Sequence, residues 1–109
     1  MTSTIRGIGW RLQGGGSSAL ELQVSNGSTV TTVTSSFTPT LKQCFDWEIY
    51  SDGAGNVTLF VNDSQVATTT AGPTGTQTSG LYMEGMDTTA SSTSPFIMNN
   101  LGTKIFVAI

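Results

Sequence analysis

The chain has 109 residues, four of them basic and seven acidic, with no histidine and a net charge of −3. That length suits one domain spanning residues 1–109. The scarcity of lysine and arginine excludes the basic stripe that nucleic acid needs, and the basic face of a membrane-surface helix. Cys44 is the single cysteine, so no internal disulfide framework can form, and without histidine there is no Ser-His or Cys-His nucleophile pair.

Taken in chain order, the pattern has period two almost throughout. Ile8, Trp10 and Leu12 alternate with Gly7, Gly9 and Arg11, which predicts a half-buried strand. Gly14-Gly15-Gly16-Ser17-Ser18 breaks it; no lysine follows and no helix opens there, so it is a turn rather than a phosphate cradle. Leu20, Leu22 and Val24 alternate with Glu21 and Gln23, predicting a strand with one wet face. Asn26-Gly27 is a strong hairpin signal because both residue types accept positive φ, and Thr29–Ser36 supplies the partner strand.

After a loop around Pro39, Phe45, Trp47 and Ile49 face one way and Asp46, Glu48 and Tyr50 the other. Asp52-Gly53-Ala54-Gly55 turns the chain into Val57, Leu59 and Val61; Asn62-Asp63-Ser64 turns it again into a strand from Gln65 to Thr70. A loop through Gly72-Pro73 leads to strand-like segments at Leu81–Asp87, Phe96–Met98 and Lys104–Ile109. No helical period of useful length occurs. Eight or nine short strands separated by turn residues predict an all-β, antiparallel sandwich. Threonine and serine, so abundant here, fit pleated strands.

Two residues apart on one strand, Asp46 and Glu48 place their carboxylates on one face about 7 Å apart, a spacing a glycosidase can use. A solvated outer face is the plainer reading, and it is favoured. Asp52, Asn56, Asn62, Asp63 and Asp87 are oxygen donors in turns, where such residues ordinarily bond their own backbone, so no metal site and no cofactor are expected. Trp10 and Trp47 lie in the apolar phase and are expected to pack in the core. Were they exposed, they would offer a sugar-stacking platform beside the turn residues Asn62 and Asp63. Tyr50, Phe60, Tyr82 and Phe106 fall in the opposite phase, available as a second core layer, a ligand surface or a subunit interface.

The run Phe45-Asp46-Trp47-Glu48-Ile49, followed by Gly55-Asn56-Val57-Thr58-Leu59-Phe60-Val61-Asn62 and Val66-Ala67-Thr68-Thr69, resembles a hairpin of the concanavalin A-like lectin/glucanase sandwiches. Domains of that kind occur in bacteriophage virion proteins. Gly72-Pro73-Thr74 and the tail from Leu81-Tyr82 to Ile105-Phe106-Val107 continue the likeness, which spans about two thirds of the chain; Asp63 stands where the family places glycine. The resemblance implies a jelly-roll sandwich. It carries over no site, because Tyr50 occupies the third position of the glucanases' acid triplet and the lectins' metal-binding acids have no counterpart.

Sandwiches of this family are ordinarily longer, and a shortened one leaves open edges that invite pairing. The expectation is therefore a non-enzymatic virion structural protein, a capsid decoration (cement) protein that forms a dimer or trimer and clamps a major capsid protein. Its contacts would be Tyr50, Phe60, Tyr82 and Phe106. The alternatives are a carbohydrate-binding domain of a tail fibre or adhesin, using Trp10, Trp47, Asn62 and Asp63, and a glycoside hydrolase-like domain. Met1–Gln13 contains no signal-peptide apolar run, so synthesis in the host cytoplasm and residence on the capsid surface are expected.

Overall fold

The computed structural model describes residues 1–13, 18–40 and 43–75, all within one compact unit, Met1–Gln77. Six strands occur there and no helix: β1 (Gly7–Arg11), β2 (Glu21–Ser25), β3 (Val30–Thr34), β4 (Trp47–Ser51), β5 (Val57–Val61) and β6 (Ser64–Thr69). They form two three-stranded antiparallel sheets, ordered β1-β2-β3 and β4-β5-β6. The three further expected strands, with Tyr82 and Phe106, lie outside the described residues.

Each sheet turns its apolar phase toward the other. Leu22 and Val24 of β2, with Leu20 just before it, join Val57, Leu59 and Val61 of β5 and Ala67 of β6 in one buried cluster. The middle strand of each sheet supplies most of this core because it is flanked on both sides, as a sandwich requires. β6 carries a bulge: Leu59 pairs with Ala67 and Phe60 with Gln65, which leaves Val66 as the extra residue. The Val66 carbonyl accepts the Ser36 N–H at 3.0 Å, so the bulge ties the second sheet to the end of β3.

The strands that end each described sheet behave differently. Trp10 is half-buried and packs on the core, with Phe45 at 5.9 Å and Trp47 at 5.8 Å between ring centroids. Trp47 is in register with Val61 on the inner face, yet it remains 42% exposed, so the expected core position is corrected for this residue. Ile8 and Leu12 are likewise exposed. All three belong to β1, its continuation, or β4, each at one end of its described sheet, where a strand is flanked on one side only. Cys44 is exposed in the segment leading into β4 rather than packed in the core.

The wet face expected for β2 is also corrected, since Gln23 and Ser25 are buried. Their cross-strand partners are Gly9 and Gly7, which leave a trough in the outer surface of the sheet. Met1 lies over it: a Cβ on Gly7 would stand 3.5 Å from the Met1 Cε. Within this covered strip the Ser25 hydroxyl donates to the Ser3 carbonyl and the Gln23 amide donates to Thr32 Oγ1. Buried polar groups are tolerated there because each has a partner.

The turns obey different chemistry from one another. Asn62 and Asp63 both adopt positive φ, 48° and 66°, and close the two-residue β5–β6 hairpin. In the β2–β3 turn only Gly27 has positive φ. Asn26 instead uses its side chain, the Oδ1 accepting from Ser28 N and Thr29 N at 2.9 Å each, in a four-residue loop. Between β4 and β5, the Asp52 carboxylate accepts from the Asn56 side-chain amide and from the backbone N–H groups of Ala54 and Asn56.

These donors, the Asn56 side chain foremost and the Ala54 N–H next, hold the Asp52 carboxyl below the usual aspartate value. A folded-state value below the unfolded one means stabilisation that is complete above the unfolded value and fades as pH falls through the folded one. Titrating Asp52 by carbon NMR should therefore give a midpoint lower than in the unfolded chain. In Asn56→Ala the midpoint should move back up; an unmoved midpoint would show that the side-chain amide is not the main donor.

Candidate functional surface

Antiparallel register sets the outer face of β4-β5-β6. Glu48 stands opposite Phe60, and Tyr50 opposite Thr58, so Tyr50 and Phe60 are diagonal neighbours on adjacent strands. Tyr50 is 58% exposed and Phe60 is partly exposed. Thr58 and Thr68, paired across β5 and β6, continue the surface with their hydroxyls 3.3 Å apart. It is a face of two aromatics and short hydroxyl side chains, with carboxylates along one end.

At that end Asp46, Trp47, Glu48, Phe60 and Asp63 line a shallow depression of about 80 Å³. Strand β4 and the segment before it bring Asp46 and Glu48. The β5–β6 hairpin delivers Phe60 and, at its tip, Asp63. A reciprocal link holds the two elements together: Asp46 N donates to Asn62 Oδ1 at 3.1 Å, and Asn62 N donates to the Asp46 carbonyl at 2.9 Å. The Asn62 side-chain oxygen is thus already engaged with the backbone.

The residues expected to bind do not all converge. Tyr50 and Phe60 share one face. Of the sugar-binding set, Trp47 and Asp63 reach the depression, Asn62 buttresses it through the backbone, and Trp10 is packed between the sheets. Grouping Asp63 with Asp46 and Glu48 escaped the sequence reading, because it depends on the hairpin folding back across β4. One signal was available earlier: residues 43–75 contain Asp46, Glu48, Asp52 and Asp63 but no lysine or arginine. The first sheet and the residue before it hold Arg6, Arg11 and Glu21, with Arg11 paired to Glu21 across β1 and β2.

Size decides what the depression can do. Small-molecule and catalytic pockets typically enclose about 300–1,000 Å³. A space of about 80 Å³ holds a single side chain or two or three waters. The surface around it is open, and its aromatic and hydroxyl groups suit docking against another surface. Comparison with family models, with curated proteins and with solved structures found no match to this chain. The class of the protein accordingly rests on its own geometry, which among the described residues is all-β and built on two antiparallel three-stranded sheets.

Proposed function

We propose that the chain is a non-enzymatic structural protein of a bacteriophage virion, a capsid decoration protein that self-associates and clamps neighbouring coat subunits. In this reading the full chain is a concanavalin A-like jelly roll of eight or nine strands. Support comes from the hairpins β4-β5-β6, whose turn at Asn62-Asp63 falls inside the segment that resembles that family. The observation that carries the reading is the outer face of this sheet: exposed Tyr50 beside Phe60, threonines around them, and a depression sized for one side chain.

Such a face binds by burying aromatic anchors, and truncating an anchor costs about 2 kcal/mol, roughly thirtyfold in dissociation constant. Light scattering on the purified chain should give the mass of a dimer or trimer. The double variant Tyr50→Ser/Phe60→Ser should shift the assembly toward monomer with an unchanged far-ultraviolet circular dichroism spectrum. A wild-type chain that stays monomeric at high concentration would remove the self-association on which the proposal depends.

The exposure of Trp47 beside Asp46 and Asp63 favours a second reading, a carbohydrate-binding domain in which the indole stacks on a sugar ring. Quenching of tryptophan fluorescence by added glycan, lost in Trp47→Phe with Trp10 intact, would select it over the first.

A further inference from the structure

Asn26 is the one asparagine in the sequence followed by glycine. Asn56 precedes the β-branched Val57 and Asn62 precedes Asp63. A glycine nitrogen carries no neighbouring side chain to obstruct it, and so it can attack the preceding asparagine's side-chain carbonyl. We propose that Asn26 is a site of spontaneous deamidation, held in check by the β2–β3 turn and released when that turn opens. The Gly27 nitrogen bonds to Asn26 Cγ, the Cγ–Nδ2 bond breaks, and ammonia leaves with the proton from the glycine N–H. Water then opens the resulting succinimide at either carbonyl, leaving an aspartyl or an isoaspartyl linkage; no oxidant or reductant takes part.

The turn opposes each requirement of this reaction. Asn26 Oδ1 is fixed by the N–H groups of Ser28 and Thr29, and both bonds must break before Cγ can swing onto the Gly27 nitrogen. The Gly27 N–H is itself directed to Ser25 Oγ at 3.4 Å. The Asn26 N–H bonds the Thr29 carbonyl at 3.3 Å and closes the loop. Opening needs little loss of burial, because Asn26, Ser28 and Thr29 are all exposed.

The two products have different consequences. An aspartyl carboxylate can accept the same two backbone bonds, and Arg6 lies close by: a Cβ on Gly27 would stand 3.4 Å from its Nε. The new charge therefore has a cation beside it. An isoaspartyl linkage instead threads the main chain through Cγ and lengthens the turn by one atom. That disturbs the Ser25–Val30 pairing that registers β2, the middle strand of its sheet.

The test is incubation of the full chain at mildly alkaline pH, folded and in urea, with conversion located by peptide-mapping mass spectrometry. Conversion should concentrate at Asn26 and run about tenfold or more slower in the folded chain, since only opened molecules react. Asn26→Asp should fold as well as the parent, and Asn26→Ser should abolish the main conversion. Equal rates folded and unfolded, or principal conversion at another asparagine, would overturn the proposal.

Discussion

Leu59→Ala is expected to lower the unfolding free energy by about 3 kcal/mol, within the range for a buried leucine truncated in a packed core. Leu59 has no exposed surface and sits at the centre of β5, with Ile49 on one side and Ala67 on the other. It faces the cluster that includes Leu20, Leu22 and Val24 of the first sheet. Truncation removes the transfer energy of the lost methyl and methylene groups and opens a cavity that two sheets, each fixed by its own ladder, close only in part. A domain of this size has a stability of about 5–15 kcal/mol, so the loss is a large fraction of the total. Urea denaturation of the full chain reads it as a lower midpoint with unchanged slope. Tyr50→Ala, on the outer face, should change the midpoint far less; equal losses would mean that the two faces are not divided as described.

Gly72→Ala is expected to cost about 2 kcal/mol, by overpacking rather than by cavity formation. A Cβ at this position would stand 2.5 Å from Val57 Cγ2 and 2.9 Å from the Gly55 carbonyl oxygen. Neither neighbour gives way easily. Val57 is fully buried, and the Gly55 carbonyl is already bonded by the Gly72 N–H at 2.9 Å. This close approach joins the Asp52–Asn56 loop to the chain after β6, where Ala54 bridges Thr74 and Gly75 N–H bonds the Gly53 carbonyl. Gly53→Ala provides the contrast. It forces an L residue into positive φ, here 75°, a strain that Gly72 does not carry, and a Cβ there meets nothing within 4 Å. Its cost should be about 1 kcal/mol, the backbone strain alone. Melting temperatures of the two variants separate packing from strain, and Gly53→Ala proving the more damaging would contradict the contact at Gly72.

Leu59 lies on an element whose strand character was plain in the sequence. Val57, Leu59 and Val61 alternate with threonine and phenylalanine, and such a run can bury one face only as a strand. The turn residues were equally visible, though their roles were not. Asn26-Gly27 and Asn62-Asp63 both announce hairpins, yet only the second adopts the paired positive φ values. The number of residues left between the last cross-strand pairs makes the difference, and that number follows from register.

Part of the candidate surface was legible in the same way. That Tyr50 and Phe60 lie off the core phase follows from counting by twos. Their adjacency does not, because it requires Glu48 to stand opposite Phe60, a pairing set by the length of the Asp52–Asn56 loop. Nor does the depression, which exists because the β5–β6 hairpin carries Asp63 back toward Asp46.

By itself the sequence determined the all-β character of the described residues, the inward phase of Leu22, Val24, Val57, Leu59 and Val61, and the placing of the hairpin turns among them. These depend on local periodicity and on residues tolerant of special φ. The tertiary structure alone decided that Trp47 stays exposed at the end of its sheet while Gln23 and Ser25, on the face opposite the core, are buried. Alternation tells which face a side chain is on; whether anything covers that face depends on where the rest of the chain goes.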